Sequence, residues 1–392
     1  MKRFLFLFLF LFLFCVYFFD VSYLFHGIRC TYLRGEVSAQ IDDHRFFSTR
    51  EVVSHNSFTL PNSENYSNEI KNKKLKSALE DSKSVAFLVV QNDSVQLEGY
   101  WGGVGPSSLT NSFSMAKSII SILVGCAVED GYIKSLDQSV FDFVPEITPF
   151  RNSDVKIKHL LEMSSGYDWF ENYKQPISVT AKAYYGKGLR ELILNRRFTE
   201  HPGKTYHYSS GSTQVLGLIL ERAVGESVSS YAGRALWTKI GAKQNALWTL
   251  DSKGGGEKVF CCFNSNARDF SKIGLLMLNR GLVGASGERV VSEKYVEWLL
   301  SVPKLFGEKK KKEESGLIKH YSNGWWLARV LEKDVFYARG FLGQYIVVVP
   351  ELNLVFVRLG KKENENSGEE NEYKLTNNLR FFIESVIEDY AL

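Results

Sequence analysis

One stretch constrains the fold of this chain more than any other: NSFSMAKSIISILVGCAVEDG, residues 111–131. Its spacing predicts a helix over Phe113–Val128 that is apolar on all faces, ended by Gly131. A helix of that kind lies in the middle of a domain, so the remaining chain must surround it. A chain of 392 residues, 44% hydrophobic and 14% aromatic, has the material to do so. Lys117 is the one charge in that run. A buried lysine is costly unless it is paired or neutralised.

The flanking segments say how the helix is covered. SVAFLVVQNDSVQLEGYWGG (84–103) reads as a hairpin turning at Asn92-Asp93. Helical spacing recurs over 113–130, 154–166, 180–196, 212–236 and 266–281. Strand patterns return in NGWWLARVLE, DVFYARG and QYIVVVPELNLVFVRLG, the last a hairpin with Pro350 at its turn, before an amphipathic helix over 373–391. Strands at both ends and helices between them predict an α+β fold. Its antiparallel sheet is built from both ends of the chain and flanked by helices, with a large helical insertion at about 135–320. No internal repeat is present.

The N-terminus is different in kind. Lys2 and Arg3 precede sixteen apolar residues, Phe4–Phe19. As a helix these cover about 24 Å, slightly less than a bilayer core of about 30 Å, and residues 21–25 extend the run. The pattern predicts an uncleaved signal-anchor over 1–25, with a cleaved signal peptide as the alternative and the rest exported to the cell envelope. Residues 26–65 are polar and mixed and are expected to be a linker, leaving 66–392 as the folded domain.

Charge gives no argument for nucleic acid: 48 basic and 44 acidic residues leave +4. The basic clusters at 71–76 and 308–314 read as solvated surface, and Lys-rich 302–320 as an exposed loop. Five cysteines, with Cys261 and Cys262 adjacent, make no disulfide framework, and neighbours rarely bond to one another. The sequence has no H-E-x-x-H and no C-x-x-C, so no metal or cofactor is expected.

S-x-x-K occurs three times: Ser114/Lys117, Ser153/Lys156 and Ser301/Lys304. Pro303 disfavours a helix at the third, and N-capping explains Ser153. At Ser114 the i, i+3 spacing puts the lysine on the serine's face. Burial lowers an amine toward neutrality, and a neutral amine can take the serine proton. The plainer reading is a buried lysine satisfied by carbonyls. Ninety-four residues beyond Ser114, Tyr208 stands in HPGKTYHYSSGST, before another helix, placed to shuttle protons or to be an ordinary loop aromatic. A second Tyr-Ser, at 321–322, leads into a strand instead. In YARGFLGQYIVVVP, Gly340 and Gly343 flank a strand start. There the Phe341 amide can join that of Ser114 as an oxyanion donor, or the glycines mark a plain turn.

In this order and context, the three elements resemble the serine β-lactamase and penicillin-binding superfamily, closest to its class C-like branch of esterases, D-amino-acid peptidases and 6-aminohexanoate-dimer hydrolases. The likeness covers about 80–390 and includes IKHLLEMSSGYDW and NARDFSKIGLLMLNRG. It implies an acyl-enzyme hydrolase of small amides or esters. Ser114 would be the nucleophile, Lys117 its base and Tyr208 the second acid/base. Phe341, Gly340, Gly343, Gln344, Ser210, Arg339 and Tyr167 would line the oxyanion and substrate sites. Tyr167, Trp169 and Tyr173 would form an aromatic wall. Two departures stand out. Ser210 replaces the usual asparagine of Y-x-N. Ala338-Arg339-Gly340 replaces K-T-G, removing the lysine that would meet a substrate carboxylate. That counts against efficient penicillin hydrolysis. A D,D-peptidase or β-lactamase, and a non-catalytic envelope binding module of the same fold, remain the alternatives.

Overall fold

The computed structural model describes residues 18–284, 286–303, 320–363 and 375–391, with Phe4, Phe14 and Val16. Twelve strands among them are β1 (Thr49–Val52), β2 (Asn62–Ser67), β3 (Ser84–Gln91), β4 (Ser94–Tyr100), β5 (Thr110–Asn111), β6 (Ala246–Thr249), β7 (Phe263–Ser265), β8 (His320–Ser322), β9 (Trp325–Val330), β10 (Lys333–Gly340), β11 (Gln344–Val349) and β12 (Leu354–Gly360). The larger sheet runs β2-β4-β3-β12-β11-β10-β9-β8. Strands from both ends of the chain therefore meet in one sheet, where β12 pairs antiparallel with β3. Only the edge pair β2–β4 is parallel.

Period-2 patterning gives this sheet two buried faces. Ala86, Leu88 and Val90 of β3 join Val355 and Val357 of β12 and Phe336 and Ala338 of β10 in the core around the helix Met115–Glu129. The alternate residues Phe87, Val89, Phe356, Val335 and Tyr337 pack in a second core with Leu379, Phe382 and Val386 of the closing helix, Asn377–Tyr390. The molecule is thus layered as helices, sheet, helices. Asn92 and Asp93 take φ values of 51° and 57° at the β3–β4 turn, as a two-residue hairpin of that hand requires. Leu75 and Leu79, one turn apart in the helix Lys73–Asp81, are buried, while Lys73, Lys74 and Lys76 face water.

The smaller sheet, β1-β6-β7-β5, was not foreseen. Its β6 and β7 lie inside the stretch read as a helical insertion, and β1 lies in the stretch read as a linker. Residues 26–65 are in fact folded against the domain. Ile41, Val52 and Leu60 are buried, and β1 pairs with β6 from Thr49↔Thr249 to Val52↔Ala246. Their apolar residues are inserted one at a time, so no periodic signal arises. The helix Tyr23–Cys30 also docks: the Tyr23 hydroxyl donates to the Pro176 carbonyl at 3.1 Å, and Gly27 lies flat on the Tyr185 ring.

Most of the expected signal-anchor, and residues 304–319 of the Lys-rich loop, lie outside the described residues. No described helix is long and apolar enough to cross a membrane. Cys261 and Cys262, expected not to bond to each other, are joined. A positive φ of 70° at Cys262 turns the backbone so that the neighbours can meet.

Candidate active site

The smaller sheet delivers the chain to the site. β5 pairs with β7, and the Ser112 amide donates to the Phe263 carbonyl at 2.8 Å. Phe113 then takes a φ of 45°, rare for a bulky residue, and the Asn111 side chain holds it there by accepting from the Phe113 amide at 2.9 Å. This turn puts Ser114 at the tip of the central helix, half-exposed, while Met115 to Ala127 are buried. Close packing fixes the helix. Gly125 leaves room for the Tyr295 ring, the Tyr295 hydroxyl donates to the Ser121 carbonyl at 2.6 Å, and Ser118 Oγ donates to the Gly324 carbonyl at 2.6 Å.

One turn into the helix, Lys117 is 2% exposed. Its Nζ donates to Ser114 Oγ at 3.1 Å, Ser210 Oγ at 3.1 Å and the Phe260 carbonyl at 3.0 Å. All three acceptors are neutral. Burial lowers the amine to about 8, and the Glu171 carboxylate opposes that fall. Near neutral pH a useful fraction of Lys117 is therefore free amine, 3.1 Å from the hydroxyl it would deprotonate.

Ser210 opens the helix Ser210–Val224, capped by Ser209 Oγ, which accepts from the Ser212 amide at 3.0 Å. Tyr208 immediately precedes this cap. Its ring lies 5.0 Å from Lys117 Nζ and packs on Tyr321 and Trp326, at 5.6 and 6.0 Å between centroids. The second Tyr-Ser of the sequence thus props the first.

On the opposite wall, β10 ends against the nucleophile turn. A Cβ on Gly340 would fall 2.1 Å from the Ser112 carbonyl, so only glycine permits this approach. Phe341 follows, 40% exposed, edge-on to Phe113 at 5.5 Å. Tyr173 stacks on Phe341 at 6.3 Å and 17°.

Ser114, Lys117, Ser210, Tyr208, Gly340 and Phe341 are therefore gathered in one place. Four other candidates are engaged elsewhere in the structure. Arg339 lies on the far face of β10, paired with Glu363 at 3.3 Å, because alternation gives Ala338 and Gly340 the site face. Gln344 is buried and spent on the backbone, donating to the Phe341 and Gly360 carbonyls at 3.0 and 2.7 Å. Gly343, at φ 76°, makes room for the Arg358 guanidinium. Tyr167 is buried, with its hydroxyl on the Ile193 carbonyl at 2.6 Å. Tyr167 and Trp169 pack directly on Gly211, so of the proposed aromatic wall only Tyr173 faces Phe341 across the site. Sequence reasoning missed Glu171 and the Phe260 carbonyl. A loop carboxylate and a backbone oxygen carry no motif.

Comparison with known proteins identifies the family. A family model described as Beta-lactamase matches residues 72–379. The chain belongs to the Beta-lactamase family of serine hydrolases. It is 29% identical over 308 residues to the 6-aminohexanoate-dimer hydrolase of Paenarthrobacter ureafaciens, covering 73% of this chain and 74% of that protein. A solved Bacillus anthracis structure, provisionally assigned as a 6-aminohexanoate-dimer hydrolase, superposes with a TM-score of 0.71 at 20% identity, covering 90% of this chain and 92% of its own. A family VIII carboxylesterase superposes with a TM-score of 0.56 at 17% identity, over 79% of this chain and 95% of that one. At such identities the two structures speak for the fold.

Proposed function

We propose that this protein hydrolyses a small amide or ester through an acyl-enzyme on Ser114. The observation that carries the reading is the Lys117 amine, buried among neutral acceptors and 3.1 Å from Ser114 Oγ. As Oγ attacks the acyl carbon, the serine proton passes to Nζ. The Ser114 amide, in the first turn of its helix, and the Phe341 amide stabilise the oxyanion. Tyr208 relays a proton from Lys117 to the departing nitrogen or oxygen. Water then attacks the ester on Ser114, its proton returns by the same groups, and the acid leaves with the serine restored.

A neutral acyl group suits the pocket better than an anionic one. Ala338 stands on the site face where a carboxylate-binding lysine would be needed, and Arg339 is turned away to Glu363. This disfavours wall peptides and β-lactams as substrates. We put the domain outside the cytoplasm, tethered or released at residues 1–25; this rests on the basic-then-apolar N-terminal sequence alone.

The test is turnover of p-nitrophenyl acetate and butyrate, the 6-aminohexanoate dimer and nitrocefin by the wild type and Ser114→Ala. The expected result is Ser114-dependent hydrolysis of esters or the dimer with nitrocefin untouched. Inactivity toward all four, with no adduct on Ser114, would favour a binding module instead.

A further inference from the structure

We propose that Glu171 is a positioning residue of this site: it clasps the 167–180 segment to the first turn of the Ser210–Val224 helix and holds its negative charge against the Lys117 amine. The proposal rests on the hydrolase reading above.

Three donors converge on this one carboxylate. Trp169 Nε1 donates to Oε1 at 3.0 Å, Thr180 Oγ1 donates to Oε2 at 3.3 Å, and the Ser210 amide donates to Oε1. Two of these come from either side of Glu171 in its own segment, so the carboxylate gathers that segment around itself. The Ser210 amide is the first of its helix, where a negative charge also meets the positive end of the helix dipole. Tyr173, two residues further along the same segment, stacks on Phe341 across the site. Removing the clasp therefore loosens one wall of the pocket.

All three partners are neutral donors, so no cation is paired with this carboxylate among them. The chain of contacts continues from it: the Ser210 amide donates to Glu171, and Ser210 Oγ accepts a hydrogen bond from Lys117 Nζ at 3.1 Å. Other charges near the site are engaged elsewhere. Arg196 lies over Trp169 at 5.6 Å and bonds the Asp168 carbonyl at 2.8 Å. In the turn that supplies the Phe260 carbonyl, Glu257 pairs with Arg50 at 2.6 Å and Lys258 is buried against Tyr184 and Phe47. On β10, Arg339 faces Glu363. Glu171 is left as the carboxylate whose field Lys117 feels, and it favours the protonated amine.

The experiment follows Ser114 labelling by a fluorophosphonate from pH 5.5 to 9.5 in the wild type, Glu171→Gln and Glu171→Asp, with kcat and KM for a p-nitrophenyl ester. Glu171→Gln keeps one acceptor oxygen for the Trp169 and Ser210 donors, puts an amide NH2 in place of the other, and loses the charge. Its labelling rate is expected to rise with a midpoint about one pH unit lower than in the wild type. Glu171→Asp keeps the charge but shortens the reach. Its midpoint is expected to stay in place while KM rises several-fold. A Glu171→Gln profile that superimposes on the wild type would overturn the proposal. So would a shift of equal size in Glu171→Asp, which would make the effect one of shape rather than charge. Absence of any Ser114 labelling in the wild type would instead bring down the hydrolase reading, and this proposal with it.

Discussion

Two buried lysines lie on either side of the Phe260 turn, and they differ in what they can do. Lys117 and Lys258 are both shut off from water, and burial lowers the first to about 8 and the second to about 7. By titration alone Lys258 holds the larger share of free amine near neutral pH. Yet its Nζ bonds the Tyr184 carbonyl and sits 4.0 Å from the Phe47 ring centroid. Neither has a proton to give. Lys117 instead faces Ser114 Oγ at 3.1 Å, and Ser114 is only half-buried. A depressed amine becomes a base only where its acceptor is an acid that a substrate can reach.

The largest effect that could break this contrast is at the nucleophile. Ser114→Ala is expected to lower ester turnover by about 10⁴-fold or more, with the melting temperature nearly unchanged. Lys117→Met is expected to cost about 10³-fold or more, while Lys258→Met keeps activity within about 3-fold; steady-state kinetics on both variants decide it. Equal losses in the two would mean that Lys258 acts in the chemistry after all. Tyr208→Phe is expected to cost about 10²-fold in kcat, the usual worth of a positioned proton carrier.

The same contrast has a signature in stability. Lys258 binds its proton with a pKa of about 7 in the folded chain against 10.5 unfolded. Between those values the unfolded chain binds more protons, so this lysine makes stability rise with pH across the window and contributes no slope below it. Urea midpoints at pH 7 and 9.5 are expected to show a smaller rise in Lys258→Met than in the wild type. An identical rise in both would mean that Lys258 is not the proton-releasing group. The smallest expected effect concerns the face of β10. Ala338→Lys is expected to bring slow nitrocefin hydrolysis, and Arg339→Lys none. Equal gains from the two would contradict the assignment of faces.

What the sequence made legible was whatever repeats or pairs. Continuous β-rich apolar runs in SVAFLVVQ and QYIVVVP carried the central sheet, and a helix whose one charge is a lysine carried the chemistry. Tyr208 was legible through the turn that follows it. The rest depended on contacts between distant segments. TREV and NSENYS form strands only because β6 and β4 lie beside them. Gln344 could not be told from a substrate-binding amide until the Gly360 strand appeared beneath it. Glu171 has no spacing relation to Ser114. It enters the site because Ser210, Trp169 and Thr180 converge on it.

The account stands on the Lys117 amine taking the proton of Ser114. Single-turnover acylation of Ser114 by p-nitrophenyl butyrate, read by intact mass across pH 6 to 9.5, tests that most directly. The expected result is an adduct on Ser114 whose rate of formation rises with one ionisation near pH 8 and falls away in Lys117→Met. An adduct that forms at a pH-independent rate, or equally fast in Lys117→Met, would contradict it.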